Sequence, residues 1–95
     1  MDKLISEMRD HYIICGYGRM GKQVATDLRQ HNVPVVVIED NPVHIPELIE
    51  QGIPYIEGKA TEDKILIAAG AERAKGIVAV AASDEENVFI TLTAR

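Results

Sequence analysis

Short, continuously apolar runs alternate along this chain with segments whose apolar residues recur every three or four positions. The runs Tyr12-Ile13-Ile14-Cys15, Val35-Val36-Val37-Ile38 and Gly76-Ile77-Val78-Ala79-Val80-Ala81 show no in–out alternation, the mark of strands covered on both faces. A shorter run, Tyr55-Ile56-Glu57, ends at Gly58 and reads as one more strand. After the first run, Met20, Val24, Ala25 and Leu28 fall at helical spacing. They predict a helix over about 19–31 whose apolar stripe covers the sheet. Asn32 ends it, and Pro34 blocks its continuation. Asn41-Pro42 has the form of an N-cap followed by proline at the first helical position. Pro46 then removes a hydrogen bond about one turn in, so this second helix is predicted to start late or with a distorted turn. Gly52 is its stop signal. Thr61 is expected to cap a third helix with Ile65, Leu66 and Ala69 inward, stopped by Gly70. Ser83 and Glu86 have capping-box spacing and predict a fourth helix with Val88, Phe89 and Leu92 on its apolar side. Residues 1–10 read as a short charged lead-in helix or linker, with Leu4, Ile5 and Met8 on one face.

The resulting β-α-β-α-β-α-β-α order predicts an α/β domain over residues 11–95 with a parallel sheet and right-handed crossovers. The sequence between the first strand and the first helix is Cys15-Gly16-Tyr17-Gly18-Arg19-Met20-Gly21. This G-x-G-x-x-G loop stands in the strand–turn–helix context that gives the motif meaning. Gly16 permits the tight turn, Gly18 removes a side chain where a pyrophosphate would approach, and Gly21 lets helix and strand pack closely. The N–H groups of the helix start would then face the anion. With this loop after strand one, the predicted strand order is 3-2-1-4, the first part of a Rossmann-like doubly wound sheet.

Glu39 ends the second strand, 18 residues after Gly21, with Asp40 beside it. That spacing is close to the roughly 20 residues expected for an acid that accepts the adenosine ribose hydroxyls. Two adjacent acids disfavour a 2′-phosphate, so the expected ligands are NAD or NADH, or ADP or ATP, rather than NADP. Arg19 and Tyr17 are candidates to contact phosphate and to cover the nucleotide. Ala82 and Ser83 at the end of strand four, and Lys59 and Ala60 at the end of strand three, complete the candidate rim. Met20 lies within the loop itself.

Bulk properties narrow the classes. The 95 residues suffice for one domain, and the net charge of −5 argues against nucleic acid or an anionic membrane surface as partner. The single cysteine, Cys15, excludes an internal disulfide and fits a reducing cytoplasm. His11, His31 and His44 lack partners at ligand spacing, so no metal site is expected. No catalytic pair of titratable groups and no Ser/His or Cys/His arrangement is evident, so the chain does not read as an enzyme. A strand four left with an unpaired edge, and a fourth helix without neighbours, predict self-association or domain swapping.

Taken together, Asp10 to Arg95 resembles the N-terminal lobe of the RCK (KTN) domain that regulates potassium channels and transporters. The stretch from Asp10 to Gly21 carries the resemblance, with Gly58-Lys59-Ala60-Thr61, Ala69-Gly70-Ala71-Glu72-Arg73-Ala74 and Ser83-Asp84-Glu85-Glu86-Asn87. The resemblance implies a truncated lobe, with residues 1–9 as the linker from a pore helix. It implies regulation rather than catalysis, with nucleotide binding at Gly16 to Gly21, Glu39, Lys59 with Ala60, and Ala82-Ser83 biasing subunit packing against a membrane pore. Lys59 departs from the family, which often has aspartate there, and this weakens any calcium site. The lysine could attract a phosphate or pair with Glu57 or Glu62. The charged lead-in favours a channel over a soluble Trk-type regulatory subunit. The nucleotide-binding half of a dehydrogenase is a third reading.

Overall fold

The computed structural model describes residues 2–80 and 89–92. The elements are α1 (Asp2–Ser6), β1 (Tyr12–Cys15), α2 (Arg19–Gln30), β2 (Val35–Glu39), a 3₁₀ turn (Pro42–His44), α3 (Ile45–Gln51), β3 (Tyr55–Glu57), α4 (Asp63–Ala68), β4 (Gly76–Val80) and β5 (Phe89–Leu92). The sheet order is β3-β2-β1-β4-β5. Strands β3, β2, β1 and β4 are mutually parallel, giving the predicted 3-2-1-4 order, and β5 runs antiparallel to β4.

β5 corrects the sequence reading. Phe89 and Leu92, expected on a fourth helix, lie instead on a strand that pairs Val80 with Phe89 and Ile77 with Leu92. The segment Phe89-Ile90-Thr91-Leu92 is rich in aromatic and β-branched residues, which suit a strand. β5 also covers the edge of β4, so an unpaired β4 edge is no longer a ground for self-association. The capping pair Ser83 and Glu86 lies outside the described residues.

The two faces of the sheet are packed independently. Ile14, Val35 and Val37 meet Ala25 of α2, Leu48 of α3, and Tyr17 and Ile53. Ile13, Val36 and Ile38 meet Ile5 of α1 together with Ala69 and Ala74. All five β2 residues are buried, as the unbroken apolar run of a central parallel strand requires. Met20, assigned to the covering stripe of α2, is exposed at its first turn, and the buried Gly21 makes the close contact there. Leu4 is likewise exposed, while Ile5 is buried and Met8 packs against the same cluster.

The helix boundaries follow local chemistry. α2 ends where Asn32 takes φ 62°, a left-handed conformation that asparagine tolerates. Asn41 Oδ1 accepts from the Val43 N–H at 3.0 Å and so opens the 3₁₀ turn. Pro46 sits in the first turn of α3, the distorted entry expected from two prolines four residues apart. Gly52 closes α3 at φ 70°. Thr61 is not the cap of α4. A turn bonded from Glu62 N to Lys59 O delays the helix, and Glu62 occupies the N-cap position without a side-chain cap.

The lead-in is docked onto the domain. The Arg73 guanidinium donates to the carbonyls of Met8 at 2.9 Å and Ile5 at 3.3 Å, satisfying backbone acceptors at and beyond the end of α1. The Asp10 N–H donates to Arg73 O, and Lys75 N to His11 O. His11 is fully buried, and its Nε2 lies 2.8 Å from the Ala69 carbonyl. A carbonyl only accepts, so Nε2 carries the proton.

Candidate functional site

β1, β2 and β3 deliver their carboxyl ends to one side of the domain, and the glycine loop lies across the end of β1. Gly16 has φ 107°, a conformation for which glycine carries no steric penalty. Its N–H donates to Ile38 O at 2.8 Å, extending the β1–β2 ladder into the loop. Gly18 is the N-cap of α2 in an extended conformation, and no side chain caps the helix. A Cβ built on Gly18 meets nothing within 4 Å, whereas one on Gly21 would lie 2.0 Å from Gly16 O. The three glycines therefore do three different things. Gly16 makes the turn, Gly18 faces open space in front of the helix, and Gly21 seats α2 on the loop.

Glu39 is the one buried carboxylate of the described core, at 5% exposure. Its Oε1 accepts the Tyr17 N–H at 2.5 Å and its Oε2 the Asn41 N–H at 2.9 Å. Its own carbonyl accepts from Gly58 N at 3.0 Å. One residue thus joins the glycine loop, the β2 exit and the β3 exit. A carboxylate has roughly four acceptor positions, so two remain for a ribose diol. The open space at Gly18 and the acceptors at Glu39 are the features a nucleotide phosphate and its ribose need, so the residues present fit such a group.

The other predicted residues fall around this pair. Asp40 is exposed one position beyond Glu39, Arg19 and Met20 are exposed on the first turn of α2, and Lys59 is exposed with Ala60 half-buried past β3. Among the described residues Lys59 makes no ion pair with Glu57 or Glu62; Glu62 instead lies 4.0 Å from Lys64. Ala82 and Ser83 lie outside the described residues. The Tyr17 side chain is buried in the α2/α3 core and does not cover the loop from outside. Burial pushes its phenol above the ordinary value, and the charge of Glu47 adds to the rise.

Two contacts were not legible in the sequence. Lys22 on α2 pairs with Glu47 on α3, and the Glu47 hydrogen bond raises the lysine above its usual range. Glu39 was singled out for its spacing, but its grip on the loop backbone leaves no sequence signal. Cys15, half-buried at the end of β1, has its thiol pushed up to about 11 by burial. Among the described residues no three His, Cys, Asp or Glu side chains cluster as metal ligands. None of the described helices is long and apolar enough to cross a membrane.

A parallel sheet of order 3-2-1-4 with a glycine loop after β1 and an acid closing β2 defines a Rossmann-like α/β domain. The sequence profile of the TrkA-N domain matches residues 12–95, and the chain belongs to that family. It is 45% identical over 97 residues to "Potassium channel protein 1" of Methanocaldococcus jannaschii, covering all of this chain and 29% of that protein. It is 29% identical to "Voltage-gated potassium channel Kch" of Escherichia coli, over 92% of this chain and 22% of that one. The chain thus spans less than a third of the length of these curated relatives. Among solved structures, the TrkA-N domain of the inner membrane protein YbaL from Escherichia coli superposes with TM-score 0.74 and 31% identity, over 79% of this chain and 56% of that chain. The GsuK channel bound to NAD superposes with TM-score 0.66 and 26% identity, over 75% and 13% of the two chains.

Proposed function

We propose that this chain is the ligand-sensing lobe of an RCK-type regulatory domain, and that it binds an adenine nucleotide across the glycine loop. The observation that carries the reading is the buried Glu39 carboxylate, set against the loop at Tyr17 N and with acceptor capacity to spare. In this reading the phosphates lie in front of Gly18 and the α2 N-terminus, where unpaired N–H groups and the helix dipole favour an anion. Glu39 takes the ribose hydroxyls, and Asp40 adds negative charge that disfavours a 2′-phosphate. Arg19 and Lys59 are cations within the rim, and Ala60 borders the nucleotide. NAD or NADH is the first expectation, supported by the NAD-bound GsuK channel; ADP and ATP share the adenosine and phosphates this half would hold.

The function is regulatory rather than enzymatic. Binding at the strand ends shifts how copies of the domain pack, and packing acts on a membrane pore from the cytoplasmic side. Relatives named as potassium channels support a channel as the parent. The KefC potassium-efflux proteins, at 31–32% identity, support a transporter as the second reading. The test is potassium flux through the parent protein in liposomes with NAD, NADH, ADP or ATP present. Flux should respond to at least one nucleotide, and Glu39→Ala should blunt the response. Flux indifferent to all four overturns the proposal.

A further inference from the structure

We infer that Glu39 is also a positioning residue, a latch that holds the glycine loop in its anion-accepting shape before any ribose arrives. This deepens the nucleotide reading above and rests on it for the identity of the ligand. Both carboxylate oxygens are engaged by backbone N–H groups, Tyr17 on the loop and Asn41 beyond β2. The loop has few other restraints on its far side. Gly18 contacts nothing where a side chain would lie, and α2 has no side-chain cap. Gly16 is tied to Ile38 at its entry and Gly18 to Lys22 at its exit; Tyr17 between them is fixed at its N–H by Glu39 alone. Its ring anchors the same residue in the core against α3. With the peptide held at one end by Glu39 and the ring held at the other, the following N–H groups of α2 are presented to the anion without reordering. Preorganisation of this kind lowers the entropy that binding must supply.

A ribose contact and a latch make opposite predictions for a ligand that has no ribose. Inorganic pyrophosphate is such a probe. If Glu39 touches only ribose, Glu39→Gln removes a negative charge beside the loop and pyrophosphate binds equally well or more tightly. If Glu39 is the latch, the glutamine offers one acceptor oxygen and turns an NH₂ toward the second backbone N–H, so the clamp is broken. Pyrophosphate affinity should then fall at least about tenfold, the lower end of what losing one charged hydrogen bond costs. Glu39→Asp, which keeps the charge on a shorter arm, should fall similarly. Amide hydrogen exchange on the 95-residue chain gives a readout that needs no ligand. The Tyr17 amide should be protected in the wild type and exchange at least about tenfold faster in both variants, with β1 and β2 amides unchanged. Pyrophosphate affinity that holds or rises in Glu39→Gln overturns the latch, as does a Tyr17 amide that already exchanges freely in the wild type. Should wild type bind neither ADP nor pyrophosphate while Tyr17 is protected through Glu39, the nucleotide reading fails and the latch stands.

Discussion

Gly21→Ala and Gly18→Ala remove the same hydrogen from two glycines of one loop and should have opposite consequences. A Cβ on Gly21 would sit 2.0 Å from Gly16 O and 2.9 Å from Gly16 C. Carbon and oxygen in ordinary contact lie roughly 3.3 Å apart or more, so α2 must back away from the loop by more than about 1 Å. The obstacle is backbone, and the helix is held on its other side by Ala25 and Val24 in the core. Overpacking of this kind costs about 1–3 kcal/mol and occasionally more, here toward the upper end. Alanine returns up to about 1 kcal/mol as a better helix former. The net loss expected is about 2 kcal/mol, read as a lower urea midpoint at unchanged slope, or a fall of roughly 8–16 °C in Tm for a domain of this size. Gly18→Ala meets nothing within 4 Å at φ −77°. It should lose no more than about 1 kcal/mol, the difference between glycine and alanine as N-caps. Its effect should fall on ligand, with ADP affinity reduced at least about tenfold, or about 1.4 kcal/mol. A Gly21→Ala variant within about 0.5 kcal/mol of wild type would refute the close-packing argument. A Gly18→Ala variant that binds ADP normally would refute the placement of phosphate in the open space.

Arg73→Ala strips two donors from the carbonyls of Ile5 and Met8 and should release residues 2–10, seen as fast amide exchange there with a stability loss of about 1–2 kcal/mol; unchanged exchange would show that the packing of Ile5 and Met8 and the Asp10 backbone bond hold the lead-in without it. Cys15, with its thiol pushed to about 11 from an ordinary 9.0, should alkylate slowly at about pH 8. Because the fold favours its protonated form, the stability it contributes is intact below pH 9 and is lost as pH rises from 9 to about 11. Alkylation at the rate of a free thiol under these conditions contradicts this. Self-association, expected from the sequence on the ground of an unpaired β4 edge that β5 in fact covers, is checked by light scattering at high micromolar concentration, where a stable 10.5 kDa monomer would exclude it.

The parallel core was legible because its code is local. Val35 to Ile38 had to be a strand covered twice, and the spacing from Gly21 to Glu39 by itself placed an acid beside the loop. The distorted entry to α3 followed from Pro42 and Pro46 in the same way. Two kinds of feature were not legible. Phe89 to Leu92 satisfy a helical apolar pattern and a β-rich composition at once, and the pairing with β4, a tertiary contact, decided between them. The grip of Glu39 on Tyr17 N, like that of Arg73 on Ile5 O, joins residues 22 and 68 positions apart through backbone atoms. Such contacts make no demand on the identity of the backbone partner, so nothing in the sequence marks it. Met20 shows the converse error. Helical spacing puts it on the covering face, but it is exposed at the first turn, and the neighbouring buried Gly21 makes the close contact there.

Calorimetric titration of the chain with NAD, NADH, ADP, ATP and NADP, repeated with Glu39→Ala, tests the central claim most directly. The account predicts that at least one of the first four binds to the wild type and that NADP binds at least about tenfold more weakly than NAD, a gap of about 1.4 kcal/mol. It also predicts that Glu39→Ala weakens the ligands with a free ribose diol by about 1.5–3 kcal/mol, the range for a charged hydrogen bond. NADP bound as tightly as NAD, or a Glu39→Ala variant with undiminished affinity for all of them, would contradict it.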